Sequence, residues 1–387
     1  MKITLAEDTI SQDELNDLCT WIQAGNRLTK GDRTLEFENK FKEYMGTKYA
    51  IYVNSGSSAN LMMIYGLKEA GHLRNNKVIA PAVSWVTTVS PLMQLGFDVS
   101  LCDCDVNDLG LDIKHFETLC EKERPAFAIL VHVLGHANKI EQIQAICKKY
   151  DVILIEDACE ALGSELSGKK LGNLSTAGSF SFYYGHHIST IEGGMVVTND
   201  THLYNVMVSL RSHGWSRDLP TEERLKLTTE NNIDEFRNLY TFYYPGFNLR
   251  STDLQAYIGC GQVDKIPGIV EIRQRNFKLY QSRLKDFYCQ SSDTTVLSSF
   301  AYGTLVANRI EIHKHLLKNN IESRPLICGN IGRHPFWTKE HGECNLPNAD
   351  IIHDYGMYLP NHHNMNAEHV NYVCDKFLEV AKALPQI

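Results

Sequence analysis

Three stretches of the 387-residue chain carry side chains at spacings that chemistry can use. Asn54-Ser-Gly-Ser-Ser-Ala-Asn60 follows the apolar run Tyr49–Val53 and precedes the helical run Leu61–Leu67. A small-residue turn feeding a helix offers free backbone N–H groups and the positive end of the helix dipole. That suits a phosphate, and it also describes an ordinary capped turn. The turn is neither a Walker loop nor a G-x-G-x-x-G fingerprint. Ile153-Leu-Ile-Glu-Asp157 ends a buried strand in a carboxylate, and open α/β sheets place their ligands at that end. Asp157 can there bond a ribose, hold a metal, keep a pyridine nitrogen protonated, or simply close a strand at the surface. The third stretch runs from Ser179 to Gly194 and sets His186 and His187 side by side before a Glu-Gly-Gly turn. Strand propensity alone would not select that pair. Its imidazoles can move protons near neutral pH or be structural.

These residues need a scaffold that delivers them to one place. The runs Tyr49–Val53, Val78–Pro81, Val99–Cys102, Phe127–Val133 and Val152–Ile155 alternate with helical stretches, which predicts a largely parallel sheet with helices on both faces. Ser179–Tyr184 and Met195–Thr198 read as later strands, giving about seven in all. Ser11-Gln-Asp-Glu14 is a capping box that starts a lead-in helix through Leu15, Leu18, Trp21 and Ile22. After residue 262 the pattern changes, with Ile266-Pro267-Gly268 preceding a charged helix over Val270–Leu284. The expected division is a large domain over residues 1–262 and a smaller C-terminal α/β domain over residues 263–387, in keeping with about two domains for this length.

Composition removes several classes of function. With 38 Lys and Arg against 46 Asp and Glu, the net charge of −8 offers no general attraction to nucleic acid or anionic membranes, so any phosphate must be caught locally. No run reaches the roughly 18 apolar residues of a spanning helix. The opening MKITLAEDTISQDELN lacks the basic start and apolar stretch of a signal peptide, so a cytoplasmic location is expected. The 11 cysteines are scattered without a Cys-x-x-Cys pair, and neither Cys102 with Cys104 nor His341 with Cys344 has a second pair at zinc spacing; no metal site is expected.

In chain order, Ser55-Gly-Ser-Ser-Ala, Pro81-Ala-Val-Ser-Trp85, Glu156-Asp-Ala-Cys-Glu160, the Ser181-to-Gly194 segment, Pro245-Gly-Phe-Asn-Leu-Arg250 and Ser323-Arg-Pro-Leu326 form a set. By that set the chain resembles, over nearly its whole length, the DegT-type sugar aminotransferases. These are fold type I, aspartate-aminotransferase-like α/β proteins that use pyridoxal 5′-phosphate (PLP) or pyridoxamine 5′-phosphate (PMP). The resemblance implies a seven-stranded, mostly parallel sheet in the large, cofactor-binding domain. It also places His186 where the family ordinarily has the lysine that binds PLP covalently. An imidazole has no primary amine and cannot form a Schiff base, which disfavours ordinary transamination.

The His-His-Ile-x-Thr-x-Glu-Gly-Gly pattern is similar to the 3-dehydratase branch of the family. That branch implies removal of the C3 hydroxyl from a nucleotide-linked 4-keto-6-deoxy sugar, with L-glutamate regenerating PMP, in the making of 3,6-dideoxysugars of the colitose type for cell-surface polysaccharide such as the lipopolysaccharide O-antigen. GDP is the nucleotide the resemblance favours; CDP and dTDP stay open, as does a nucleotide-sugar aminotransferase. A related CDP-sugar enzyme carries an iron–sulfur cluster, but here Cys260, Cys289, Cys328, Cys344 and Cys374 are too dispersed for one.

The resemblance also implies roles. Backbone N–H groups of Gly56, Ser57 and Ser58 cup the cofactor phosphate, with the Ser181 hydroxyl beside them. Trp85 stacks on the pyridine ring, Asp157 pairs with its nitrogen, and Glu160, where many relatives have glutamine, lies near its hydroxyl. Asn248 reaches the phosphate from a neighbouring subunit, which implies a homodimer with shared active sites. Arg250 meets the glutamate carboxylate, His213 and Arg217 lie near the sugar, and Arg324 and Arg333 meet nucleotide phosphates. His186 acts as the base. If the segment is extended, His187 faces away from the ring.

Overall fold

The alternating runs assemble into one sheet that every catalytic candidate borders or approaches. The structure is a computed structural model, and it describes residues 1–384. The chain order is α1 (Gln12–Gln23), α2 (Asp32–Met45), β1 (Tyr49–Val53), α3 (Gly56–Glu69), β2 (Lys77–Pro81), α4 (Val86–Gln94), β3 (Asp98–Cys102), α5 (Ile113–Glu123), β4 (Phe127–Val131), α6 (Ile140–Tyr150) and β5 (Ile153–Asp157). A short hairpin, β6 (Glu165–Leu166) and β7 (Lys169–Lys170), leads to β8 (Ala177–Ser181), β9 (Gly194–Thr198), α7 (Thr201–Arg211), α8 (Thr221–Glu230), α9 (Glu235–Asn238) and α10 (Asp253–Arg283). The remainder is β10 (Tyr302–Leu305), α11 (Arg309–Lys318), β11 (Arg324–Pro325), α12 (Pro335–His341), α13 (Pro347–Tyr355), β12 (Gly356–Leu359) and α14 (Ala367–Leu378).

The main sheet has seven strands in the order β1-β9-β8-β5-β4-β2-β3. β2 pairs in parallel with β3 and β4, and β5 with β4 and β8, while β9 runs antiparallel to β8 and β1. β4, β8 and β9 are buried along their whole length, as strands covered on both faces must be. A three-stranded antiparallel sheet, β10-β12-β11, packs with α11 and α14 around a second core that includes Tyr302, Ile312, Leu316, Val373 and Phe377. Ile3 pairs with Ile321, which ties the N-terminal segment to this second sheet. No helix among the described residues is long and apolar enough to cross a membrane, and none of their His, Cys, Asp and Glu side chains form a group of three or more suited to a metal.

Two expectations are corrected. β8 ends at Ser181 rather than Tyr184, because its partner β9 begins at Gly194 and offers no further ladder; Tyr183 and Tyr184 leave the sheet and are partly exposed. The charged helix begins at Asp253, capped by the Thr252 side chain, and runs unbroken through Pro267 to Arg283. One proline removes a single helical hydrogen bond, and α10 is held against that loss by packing along α2 and α14 with Ile266 and Ile269 buried. The boundary expected at 262/263 therefore falls inside a helix. In α1 the capping box forms, with Ser11 N–H donating to Glu14 at 2.7 Å, and Leu18 and Trp21 are buried; Leu15 and Ile22 lie exposed.

β1 is an edge strand whose outer side is closed by a buried ion pair. Glu38 Oε1 accepts from the Tyr52 amide at 2.8 Å and from the Arg211 guanidinium, which also donates to the Tyr52 carbonyl at 3.0 Å. Both side chains are buried, and β1 runs straight into the Asn54–Gly56 turn, so this pair sets where that turn begins. Arg211→Met would leave the Glu38 carboxylate buried without its cation. The expected cost is about 3 kcal/mol or more, read as a lower urea midpoint with an unchanged slope.

Candidate active site

The carboxyl ends of β5 and β8 and the N-terminus of α3 meet around a cavity of about 340 Å³. Ser55 caps α3 by accepting from the Ser58 amide at 3.1 Å. A Cβ on Gly56 would fall 2.5 Å from Ser181 Cβ, and one on Gly194 would fall 2.2 Å from the Ser55 carbonyl oxygen. Only glycine lets the helix N-terminus approach the ends of β8 and β9 this closely. The amides of Gly56 and Ser57 thus open into the cavity beside Ser181, a donor set that can hold a phosphate. The third expected member of the cup, Ser58, has its amide bonded to Ser55 Oγ and does not line the cavity.

Asp157 is buried at the end of β5, held by three donors. Its Oδ2 accepts from Thr88 Oγ1 at 2.7 Å and Asn60 Nδ2 at 2.8 Å, and its Oδ1 from the Cys159 amide at 3.1 Å. Asn60 is itself oriented by Ser179 Oγ at 2.5 Å. Trp85, at the start of α4, lines the same cavity with 57% of its surface open, which leaves an aromatic face free to cover a flat ring. Glu160 also lines it and accepts from the Leu134 amide at 2.9 Å. Burial, reinforced by the Asp157 charge and against the Leu134 hydrogen bond, pushes its carboxyl up to about 8.

His186 lines the cavity; His187 does not. The His186 ring nitrogen Nδ1 donates to the Cys159 carbonyl at 2.8 Å, so in the neutral imidazole the lone pair lies on Nε2. Burial and the nearby Arg273 charge push its pKa down to about 4, against the Cys159 carbonyl and the Asp157 charge. His187 is buried and donates from Nε2 to the Ser298 carbonyl at 2.9 Å. The two rings part as expected but for a different reason: the segment is a run of turns and bends, not extended chain.

Arg324, on β11 opposite Tyr358 of β12, reaches the cavity with Tyr358, Glu322, Tyr183 and Tyr184. Arg333 does not; it is paired with Asp354 at 2.9 Å and Asp350 at 3.6 Å. Nor do His213, Arg217, Asn248 and Arg250. They sit on a flap made by residues 211–215 pairing with 242–249, where Asn248 bridges Ser212, Trp215 stacks on Phe242, and Arg217 lies 4.6 Å over Trp215. Asn60, Thr88, Phe300 and Tyr358 went unassigned in the sequence. Asn60 carried a signal, a buried polar residue on the first turns of an otherwise apolar helix; Phe300 and Tyr358 arrive from distant segments and carried none.

Residues 9–378 match the DegT/DnrJ/EryC1/StrS aminotransferase family, and the chain belongs to it. Among its relatives is the GDP-4-keto-6-deoxy-D-mannose 3-dehydratase of Yersinia pseudotuberculosis, 34% identical over 92% of this chain and 93% of that one. A crystal structure of GDP-4-keto-6-deoxymannose-3-dehydratase with a trapped PLP-glutamate geminal diamine superimposes with a TM-score of 0.88 at 29% identity, covering 97% of this chain and all of that one. PseC of Helicobacter pylori, an aminotransferase involved in the biosynthesis of pseudoaminic acid, superimposes with a TM-score of 0.87 at 26% identity over 98% of this chain and 99% of that one.

The Glu160 carboxyl gives a pH test of the cavity. The folded chain keeps this proton up to about pH 8, whereas the ordinary value is 4.5. The folded state binds the extra proton between those values, so stability falls as pH rises through that window. Glu160→Gln cannot ionise and is expected to gain in Tm over the parent as pH approaches 8, with no such trend below 4.5. A Tm difference that is flat with pH would contradict the assignment.

Proposed function

We propose that this chain is a PLP/PMP-dependent lyase that removes the C3 hydroxyl of a nucleotide-linked 4-keto-6-deoxy sugar, GDP-4-keto-6-deoxy-D-mannose, with L-glutamate as the amine donor. The observation that carries it is a cavity lined, among the described residues, by no lysine and by a histidine with a free Nε2 in the lysine's family position. The Gly56 cradle, the Trp85 face and the Asp157 carboxylate fit a pyridine phosphate. The cofactor supplies an amino group that carries nitrogen between glutamate and sugar, together with an electron-poor ring.

The residues divide the remaining work. Gly56 and Ser57 amides and Ser181 Oγ hold the phosphate, and Trp85 covers the ring. Asp157, fixed by Asn60 and Thr88, keeps the ring nitrogen protonated. Glu160, neutral below about pH 8, can donate to the ring hydroxyl oxygen. His186 Nε2 accepts the proton released at the reacting carbon and returns it to the departing C3 oxygen. Arg324 lies at the mouth, placed for a nucleotide phosphate. The stoichiometry closes: glutamate is oxidised to 2-oxoglutarate, the sugar C3–O bond is cleaved, ammonia is released, and a 4-keto-3,6-dideoxy sugar remains.

The flap supports a homodimer. Phe236, Tyr240 and Phe242 are 82%, 72% and 54% exposed beside His213, Arg217, Asn248 and Arg250. A second copy covering this face would bring Asn248 to the cofactor phosphate, and His213, Arg217 and Arg250 to the sugar and the glutamate carboxylate. A cytoplasmic place in dideoxysugar and lipopolysaccharide biosynthesis fits the same reading. Glutamate supplies the two electrons that deoxygenation at C3 requires, so this reading calls for no reductase partner.

Incubation with PLP, glutamate and the keto sugar is expected to yield the 4-keto-3,6-dideoxy sugar with equimolar 2-oxoglutarate; a stable 4-amino sugar that keeps its C3 oxygen would sink the reading. His186→Asn should lose on the order of 10² to 10⁴ in rate, while His187→Asn, which leaves the cavity wall intact, should be mild. For the nucleotide, a thermal-shift panel should rank GDP first among GDP, CDP, dTDP and UDP, since a ligand that binds only the folded state raises Tm.

A further inference from the structure

Arg273 on α10 is a buried cation near the site that no step above uses. It is 2% exposed and does not line the cavity. Its guanidinium donates to the carbonyls of Phe300 at 2.9 Å, Ser299 at 3.2 Å and Asn361. Asn361 Nδ2 bonds back to the Arg273 carbonyl at 3.1 Å and to Ser299 at 3.2 Å. The side chain thus ties three segments together: α10, the stretch that enters β10, and the loop after β12. No carboxylate among the described residues pairs with it, and its Nε has no partner.

A cation buried without a counter-charge is costly, and a neutral donor could satisfy the same carbonyls. The placement of Phe300 gives the charge a use. The guanidinium carbon is 5.9 Å from the Phe300 ring centroid, and that ring lies 5.2 Å from the His186 ring and 5.9 Å from the His187 ring. One fixed cation and two imidazoles therefore share a single aromatic ring. A proton on His186 would add a second cation beside the first in a region of low dielectric. The other groups are arrayed as follows. Asp157 from β5 and the Cys159 carbonyl favour charge on His186, and Arg273 opposes it. His187, His362 and His363 also face Arg273; Lys265 from α10 acts on His363, with Glu7 and Asp8 of the N-terminal segment on the opposite side.

We propose that Arg273 is a positioning residue for His186: it clamps Phe300 against the imidazole, and as a fixed cation without a counter-ion it keeps that imidazole neutral and ready to accept a proton. This rests on the reading of His186 as the base. The test is a pH titration by NMR of ring-¹⁵N-histidine-labelled protein without cofactor, with the His186 signal assigned from His186→Asn. In the parent, His186 should stay neutral down to about pH 5, whereas in Arg273→Gln, which still donates to carbonyls but carries no charge, its titration should move to higher pH than in the parent while burial still holds it below the free-imidazole range. Arg273→Lys keeps the charge and should titrate like the parent. An unchanged titration in Arg273→Gln, or equal shifts in both variants, would overturn the proposal. If only Arg273→Lys folds, a parent-like titration supports it and a raised one overturns it. Full activity in His186→Asn would instead defeat the base assignment while leaving the titration comparison to decide the role of Arg273.

Discussion

The close approach of Gly56 to Ser181, and of Gly194 to the Ser55 carbonyl, is the contact on which the rest of the site depends. Neither position has room for a Cβ, so the start of α3 and the facing ends of β8 and β9 are locked at one separation. That separation fixes the phosphate end of the cavity. It also fixes where the chain leaves β8, and hence where the turn-rich segment carrying His186 can go. The Arg211–Glu38 pair acts one step earlier, holding β1 at the sheet edge so that the turn begins in register.

Adjacent carboxylates on β5 show how the same chemistry serves two ends. Strand alternation sends Glu156 and Asp157 to opposite faces. Glu156 is wholly buried and spent on structure: it accepts from His132 at 2.9 Å, the amides of Gly172 at 2.8 Å and Leu174 at 2.7 Å, and Ser175 Oγ at 2.8 Å, which anchors the loop before β8. Asp157 has fewer donors and faces the cavity, leaving capacity for a ligand. A buried carboxylate is tolerable in either place only because its lone pairs are met.

Within one chain the site is divided. The cavity gathers Gly56, Ser57, Trp85, Asp157, Glu160, Ser181, His186 and Arg324, while His213, Arg217, Asn248 and Arg250 stand on a separate flap with exposed aromatic side chains. The proposed tasks of holding a pyridine phosphate and moving a proton fall to the first set. The second set has a part in the reaction only if another copy presents it, so the proposed chemistry and the proposed assembly stand together.

The sequence by itself determined the sheet, its mostly parallel sense, the turn that feeds α3, the carboxylate at the end of β5 and the histidine pair ahead of the Glu-Gly-Gly turn. Each of these is written in local periodicity, in glycine and small-residue placement, or in a contiguous motif. What it could not determine depends on contacts between residues far apart in the chain. Pro267 reads as a break, yet α10, packed along α2 and α14, continues through it. The run to Tyr184 reads as strand, yet β9 supplies no partner beyond Ser181. Ser58 reads as part of the phosphate cup, yet the cap on α3 uses its amide. The ionisation of Glu160, His186 and Arg273 was invisible for the same reason: desolvation is set by what tertiary packing places around a group, and Phe300 reaches His186 from more than a hundred residues away in the chain.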